Sequence, residues 1–336
     1  LENNKIVVAD EFHRLPESFF DFLHALGIKG NLILITSTLW LANKILKKEP
    51  FIGLFKPVRI DLIDEREILK ELSKEFKGKE LIENCIYLRE PLLVPYFKGS
   101  IRKFLPNYLF EGKIIVKNLI GEIFEEEEKE LTNIYEGILR AVAAGKNVST
   151  EISSFLYSRQ ILSKDNPGIL QKYLNILVDM GLLDRVEVWN KKRFRYFHHS
   201  PLLDLHFYLE SKYSYTEVET PEKFIEEVLN EKIPLHAEIF IRNLLSKHFG
   251  LQHKIIEEKD FEIDIALFEF KKLKIVGEVK WKNFISREES RKVEEKLNKF
   301  RECRRILIVP EYKTLEEKPR EIEVYDVNSL LKELLK

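Results

Sequence analysis

Cysteine is almost missing from this chain. Cys85 and Cys303 are the only two among 336 residues, too few for a disulfide framework or a cysteine metal centre, and a cytoplasmic setting is expected. Methionine occurs once and glutamine only at positions 160, 171 and 252, while Lys, Glu and Ile abound. Thermophilic proteins often share this bias, because charge networks tolerate heat and labile side chains do not. Net charge is also lacking: 55 basic residues face 56 acidic ones. The whole-protein field therefore selects no partner, and affinity for nucleic acid must come from local patches. No apolar run reaches the ~18 residues of a membrane span, and the start has no basic-then-apolar signal, so no membrane partner is expected.

The phosphate loop G-x-x-x-x-G-K-[ST] is missing too. Its nearest imitation, Gly145-Lys146, is followed by Asn147 and has Arg140 in place of the first glycine. It follows a helix rather than a strand, and reads as a helix cap.

What is present divides into four regions. Residues 1–62 read strand, helix, strand, helix, through "KIVVA", "PESFFDFLHALG", "NLILITST" and "LWLANKILKK". Unbroken apolar strands alternating with amphipathic helices predict a buried parallel α/β sheet. Residues 63–130 are helical and close on the acidic run "EEEEKE". Residues 131–200 hold three helical patterns and a strand pair. "LTNIYEGILRAVAAG" ends at a capping Gly145, "STEISSFLY" opens with a Ser or Thr cap, and Ile169, Leu170, Tyr173, Leu174, Leu177 and Met180 make one stripe. With "LLDRVEVW" and "RFRYFHHS" around "NKK", this predicts a winged helix-turn-helix. Residues 201–336 begin with a connector helix and then mix three helices with five strands.

Two acidic constellations carry candidate chemistry. Asp10 and Glu11 follow "IVVA", where a strand delivers carboxylates to a nucleotide's Mg2+, and Thr36 or Ser37 ends the next strand, as a sensor of the terminal phosphate would. The other reading is an ordinary acidic strand-to-loop junction. Farther on, metal-dependent nucleases of the PD-(D/E)xK type place an acid on one strand and acid-x-Lys on its hairpin partner, often with an acid on the preceding helix. Carboxylates hold Mg2+ beside the scissile phosphate, and the lysine orients water and offsets developing charge. The candidate set is Glu238, Asp264, Glu278 and Lys280. Acid-x-Lys alone is uninformative, since Glu75, Glu257, Glu269, Glu294, Glu311 and Glu316 each begin one. Only Glu278 and Lys280 lie within an apolar strand. A hairpin turning over Lys271 to Leu273 sets Asp264 within one bulge of facing Glu278, with Ile263, Ile265, Leu267 and Val279 on the opposite, core face. The competing reading is a solvent-facing hairpin with its charges outward.

Lys191, Lys192, Arg193 and Arg195 on the wing suit phosphate contacts to DNA. The outward face of the presumed recognition helix, with Gln171, Lys172, Asn175 and Asp179, has a single base, which argues against strong sequence readout. A wing that docks on protein is the alternative, and His198 and His199 read as wing residues.

In order along the chain, "VVADEF", "LILITST", "KKEPFIGLFKPVRIDLI", "YLNILVDMGLLDR", "SPLLDLHFY" and "FEIDIALFEFKKLKIVGEVKW" resemble the archaeal P-loop ATPases related to AAA+ and STAND proteins. The resemblance implies an α/β multidomain protein: a partial P-loop core at 1–62, a helical lid at 63–130, the winged helix at 131–200, and a connector with a restriction-endonuclease-like domain at 201–336. It also implies ATP binding, with Asp10 and Glu11 as the Walker B pair and Thr36 or Ser37 as sensor. Two departures stand out. The Walker A half is missing, and Leu54 stands where the family usually has arginine. The expectation is an ATPase lacking its front half, whose remaining modules bind DNA and cleave it with Mg2+. The alternative is a non-catalytic DNA-binding or protein-docking regulator with a degenerate nuclease fold.

Overall fold

The computed structural model describes residues 5–26, 31–36, 55–124 and 129–334. Ser37, Leu54 and the acidic run at 125–128 lie outside them. The described residues form an α/β protein of many helices and several small sheets.

The first apolar run forms β1 (Ile6–Ala9), which leads through α1 (Glu17–Leu26) to β2 (Asn31–Leu34), and the two strands pair in parallel. The expectation of burial is not met. Ile6 and Val8 are 64% and 55% exposed, because among the described residues β1 pairs only with β2. Apolar residues in a strand signal a need for cover, which one helix cannot supply on both faces. A small cluster does form on one side, where Phe12 packs with Leu15, Phe19, Leu34 and Phe55.

The next helices build the main core. Asp64 caps α2 (Glu65–Leu72) by accepting from Arg66 N, and α3 (Gly78–Leu88) is buried over most of its length. α4 (Ile101–Phe124) follows, with Pro106 inside it. α5 (Lys129–Ala143) ends as its sequence predicts: Gly145 takes φ +82° and Lys146 N donates to Ala141 O, a left-handed cap. α6 (Ser149–Ser158) differs from expectation. Its cap is Val148, and Glu151 instead reaches back to accept from Asn147 N. α7 (Pro167–Asp179) buries Leu170, Tyr173, Leu174 and Leu177, whereas Ile169 in its first turn is exposed. β3 (Leu183–Glu187) and β4 (Phe194–His198) form an antiparallel hairpin, and α8 (Pro201–Tyr213) leads to the 28-residue α9 (Glu222–Phe249), which contains Pro234.

The remaining strands are β5 (Gln252–His253), β6 (Ile256–Glu257), β7 (Glu262–Ile263), β8 (Ile265–Glu269), β9 (Lys272–Val279), β10 (Arg304–Ile308) and β11 (Glu323–Tyr325). α10 (Arg287–Leu297) joins β9 to β10, and α11 (Val327–Leu334) closes the described chain. The five-stranded sheet runs β11-β10-β9-β8-β5, with β9, β10 and β11 parallel and β8 antiparallel to both its neighbours. A parallel β9–β10 pair needs a crossover, and α10 supplies it, opened by a capping box of Ser286 and Glu289.

Both faces of this sheet are buried, which explains its nearly unbroken apolar strands. Ile265, Leu267, Ile275 and Ile306 join the large core with α9, while Ala266, Phe268, Val276 and Leu307 pack with Val293 and Leu297 of α10. Gly277 allows close strand approach: a Cβ there would lie 2.9 Å from the Ile306 carbonyl oxygen. The β3–β4 hairpin is tied to this region by backbone bonds. Ile255 N donates to Glu187 O at 2.9 Å, Trp189 N donates to Ile255 O at 2.8 Å, and the Trp189 ring packs on Phe268.

Candidate functional site

The β8–β9 register sets Ile265 opposite Gly277, so Asp264 and Glu278 are the next cross-strand neighbours. The chain bends at Asp264 between β7 and β8. The bend also corrects one expectation: Ile263 falls in the α10-side cluster, while Ile265 and Val279 face the other core. It turns the Asp264 carboxylate back on β9, where Oδ2 accepts from Val279 N at 2.9 Å. Asp264 N in turn donates to Glu278 Oε1 at 3.5 Å. Lys280 Nζ lies 2.7 Å from Glu278 Oε2 and 3.7 Å from Asp264 Oδ2.

Glu278 has 0% side-chain exposure. The solvent-facing alternative for this hairpin is therefore overturned. An ionised carboxylate without water is tolerable only when paired and hydrogen-bonded, and two lysines meet that need. Lys280 holds one oxygen. Lys296 of α10, which lies in no apolar strand, makes a close ion pair with the other and donates to the Glu262 carbonyl at 2.8 Å.

Glu238 reaches the same neighbourhood from α9. Among the described residues its hydrogen bond is to Arg242, at 3.3 Å, and it contacts Asp264 and Glu278 through their fields alone. Burial, reinforced by the charge of Asp264, pushes its carboxyl up to about 8. Burial and the charge of Glu278 likewise push Asp264 up to about 6. Burial works against the Lys280 ammonium, but Glu278 and Asp264 outweigh it and hold Lys280 above its ordinary value. Proximity of like charges raises carboxyl pKa values in this way at many reactive sites.

Among the described residues no three His, Cys, Asp or Glu side chains converge on one point as a metal cage. Mg2+ rarely needs one, since it keeps several waters and is held by one or two carboxylates plus substrate phosphate. Asp264 and Glu278, two hard oxygen donors joined through Asp264 N, fit that requirement. The charge of Glu278 helps to raise Asp264, which a divalent cation would relieve.

Asp10 and Glu11 behave differently. Asp10 is exposed and caps its own neighbour, accepting from Glu11 N at 3.0 Å. Glu11 takes left-handed φ 48°, ψ 44°, and lies 3.4 Å from His13 Nε2, while His13 Nδ1 meets Thr36 Oγ1 at 2.7 Å. His13 thus links Glu11 to Thr36.

The cations on and beside the β3–β4 hairpin are engaged inside the chain. Lys191, Arg193 and Arg195 all pair with Glu257, and Arg195 also reaches Glu262 at 2.7 Å. Lys192 is exposed. His198, in the core, donates Nε2–H to the Leu139 carbonyl at 2.9 Å. His199 bridges Asp184 and Asp61 at 2.9 and 2.6 Å. Burial favours its neutral ring, but the bonds and charges of Asp184 and Asp61 prevail and raise it to about 9. Beside it lies a cavity of about 160 Å³ whose walls include Glu65, Arg89, Asp204 and Lys247. Arg89 and Lys247 both pair with Glu65, and Asp204 pairs with Lys232.

No helix among the described residues is long and apolar enough to cross a membrane. Compared with protein families, curated proteins and solved structures, the chain matches none.

Proposed function

We propose that residues 201–336 form a Mg2+-dependent nuclease-like unit of the PD-(D/E)xK type, acting on the phosphodiester bonds of DNA. One observation carries the reading: Glu278, with 0% side-chain exposure, sits inside an apolar strand beside Asp264 and Lys280. Burying such a group costs stability, and a purely structural sheet gains more from an apolar residue there. Asp264 and Glu278 would hold the ion, which when bound supplies Lewis acidity toward the phosphate. Lys280 orients water and offsets charge developing on the phosphate. Glu238, protonated at neutral pH, stands at the margin of the site as a proton donor. The purified chain should nick supercoiled DNA with Mg2+ or Mn2+, and Lys280→Ala should stop it. Equal cleavage by the variant would identify a contaminant and end the reading.

The second reading is a non-catalytic regulator, in which residues 131–200 are a winged helix-turn-helix used for docking. The clasp of Glu257 on Lys191, Arg193 and Arg195 favours it. DNA binding that weakens with salt, without cleavage, supports this version. Glu257→Ala should then strengthen low-salt binding by freeing the cations, and an unchanged affinity would remove the wing from the interface. ATP binding at residues 1–62, with Mg2+ at Asp10, belongs to the archaeal ATPase form of the proposal. It rests on Asp10 and Thr36 at the ends of adjacent parallel strands. Retention of a fluorescent ATP analogue, lost in Asp10→Ala, supports it, and no retention removes it.

A further inference from the structure

Glu278 has no oxygen to spare. Its two carboxylate oxygens are taken by two ammonium groups, one from its own strand and one from α10. A divalent ion using Glu278 therefore competes with a lysine's charge at whichever oxygen it takes. The two are not held alike. Lys280 is shared between Glu278 and Asp264, two negative groups, and departs from both at a high electrostatic cost. Among the described residues Lys296 has Glu278 alone within ion-pair distance, and otherwise donates to the neutral backbone carbonyl of Glu262. On leaving it gives up one ion pair where Lys280 gives up two.

We propose that Lys296 is a displaceable counter-ion, which holds Oε1 of Glu278 and competes with the divalent cation for that carboxylate. The proposal rests on Asp264 and Glu278 being the metal ligands. It assigns α10 a role beyond crossover: by presenting Lys296, the helix sets how tightly the site takes its ion. A lysine there keeps the buried carboxylate satisfied without metal and makes loading an exchange of one cation for another. A group that binds the same place as a ligand lowers that ligand's apparent affinity in proportion to its own occupancy.

Mn2+ binding to the full chain, followed by electron paramagnetic resonance without nucleic acid, tests this. Lys296→Gln keeps a donor for the Glu262 carbonyl but removes the charge, and should bind Mn2+ severalfold more tightly than wild type. Lys296→Arg keeps the charge and should bind no more tightly than wild type. Tighter binding is a result that loss of a merely structural contact would not give. Equal or weaker Mn2+ binding by Lys296→Gln overturns the proposal while leaving the metal site standing. No Mn2+ binding by wild type or by either folded variant overturns the metal site and the proposal together. Should Lys296→Gln fail to fold, NMR of the wild-type chain with 13C-methylated lysines decides. The Lys296 signal should move on adding Mg2+, and a signal that stays put rejects displacement.

Discussion

The chain carries two acidic pairs at the ends of apolar strands, and they end in opposite environments. Asp10 and Glu11 follow a four-residue strand that pairs with one neighbour and stays largely exposed. Asp264 and Glu278 sit on adjacent strands of a five-stranded sheet covered on both faces. The local patterns are alike; the depth of the sheet is not. Water can solvate the first pair, so its members need only a capping bond and a histidine. Without water, the second pair has to recruit two lysines, and burial pushes Asp264 up to about 6. Sheet depth, more than strand sequence, decides which acidic pair becomes chemically unusual.

Removing one acid from each pair should separate them most sharply. Glu278→Ala removes the buried carboxylate that two ammonium groups share and should lower stability by about 3–5 kcal/mol in urea unfolding, whereas Asp10→Ala should change it by less than ~0.5 kcal/mol. Similar losses at both positions would break the contrast. Gly277→Ala probes depth through packing alone: its methyl meets the Ile306 carbonyl oxygen, and strand separation should cost ~1–3 kcal/mol. A neutral outcome would mean that the sheet yields easily, and that Glu278 owes its dryness to something else.

The smallest effect concerns the connection between the regions. His199 joins Asp61, on the segment after the first sheet, to Asp184 of the hairpin. Its folded value of about 9 lies above the ordinary 6.5, so the folded state binds the proton more tightly than the unfolded one. The stabilisation is complete below about pH 6.5 and is lost as pH rises through 9. Stability of the wild type should fall over that window, and His199→Gln should flatten the fall by lowering stability on its acid side. A slope unaltered by the substitution would assign the loss to other groups.

The convergence of Asp264, Glu278 and Lys280 was legible because strands alternate with a period of two and the turn fixes which residues face each other. The second lysine was not. Lys296 closes the triplet Glu294-Glu295-Lys296, one of the acid-x-Lys matches set aside because it lay on a helix. In a helix as charged as "REESRKVEEKL", sequence does not say which lysine turns inward; that follows from where Val293 and Leu297 seat the helix on the sheet. The pairing of the β3–β4 hairpin cations was hidden for a similar reason. Their partner Glu257 lies 62 to 66 residues from Arg195 and Lys191, beyond any local pattern. Exposure of β1 was hidden as well, since apolar character reports what a strand needs and not what covers it.

One feature bears on motion. Pro234 stands in the middle of α9, four residues before Glu238. Lacking an N–H, it leaves the Asn230 carbonyl without its helical donor, so the hydrogen-bond ladder of the longest helix is interrupted there. The turns on either side need not open as one cooperative unit. Amides of residues 222–233 should therefore exchange with solvent at a different rate from those of 235–249, the half that carries Glu238, and hydrogen exchange reads the difference.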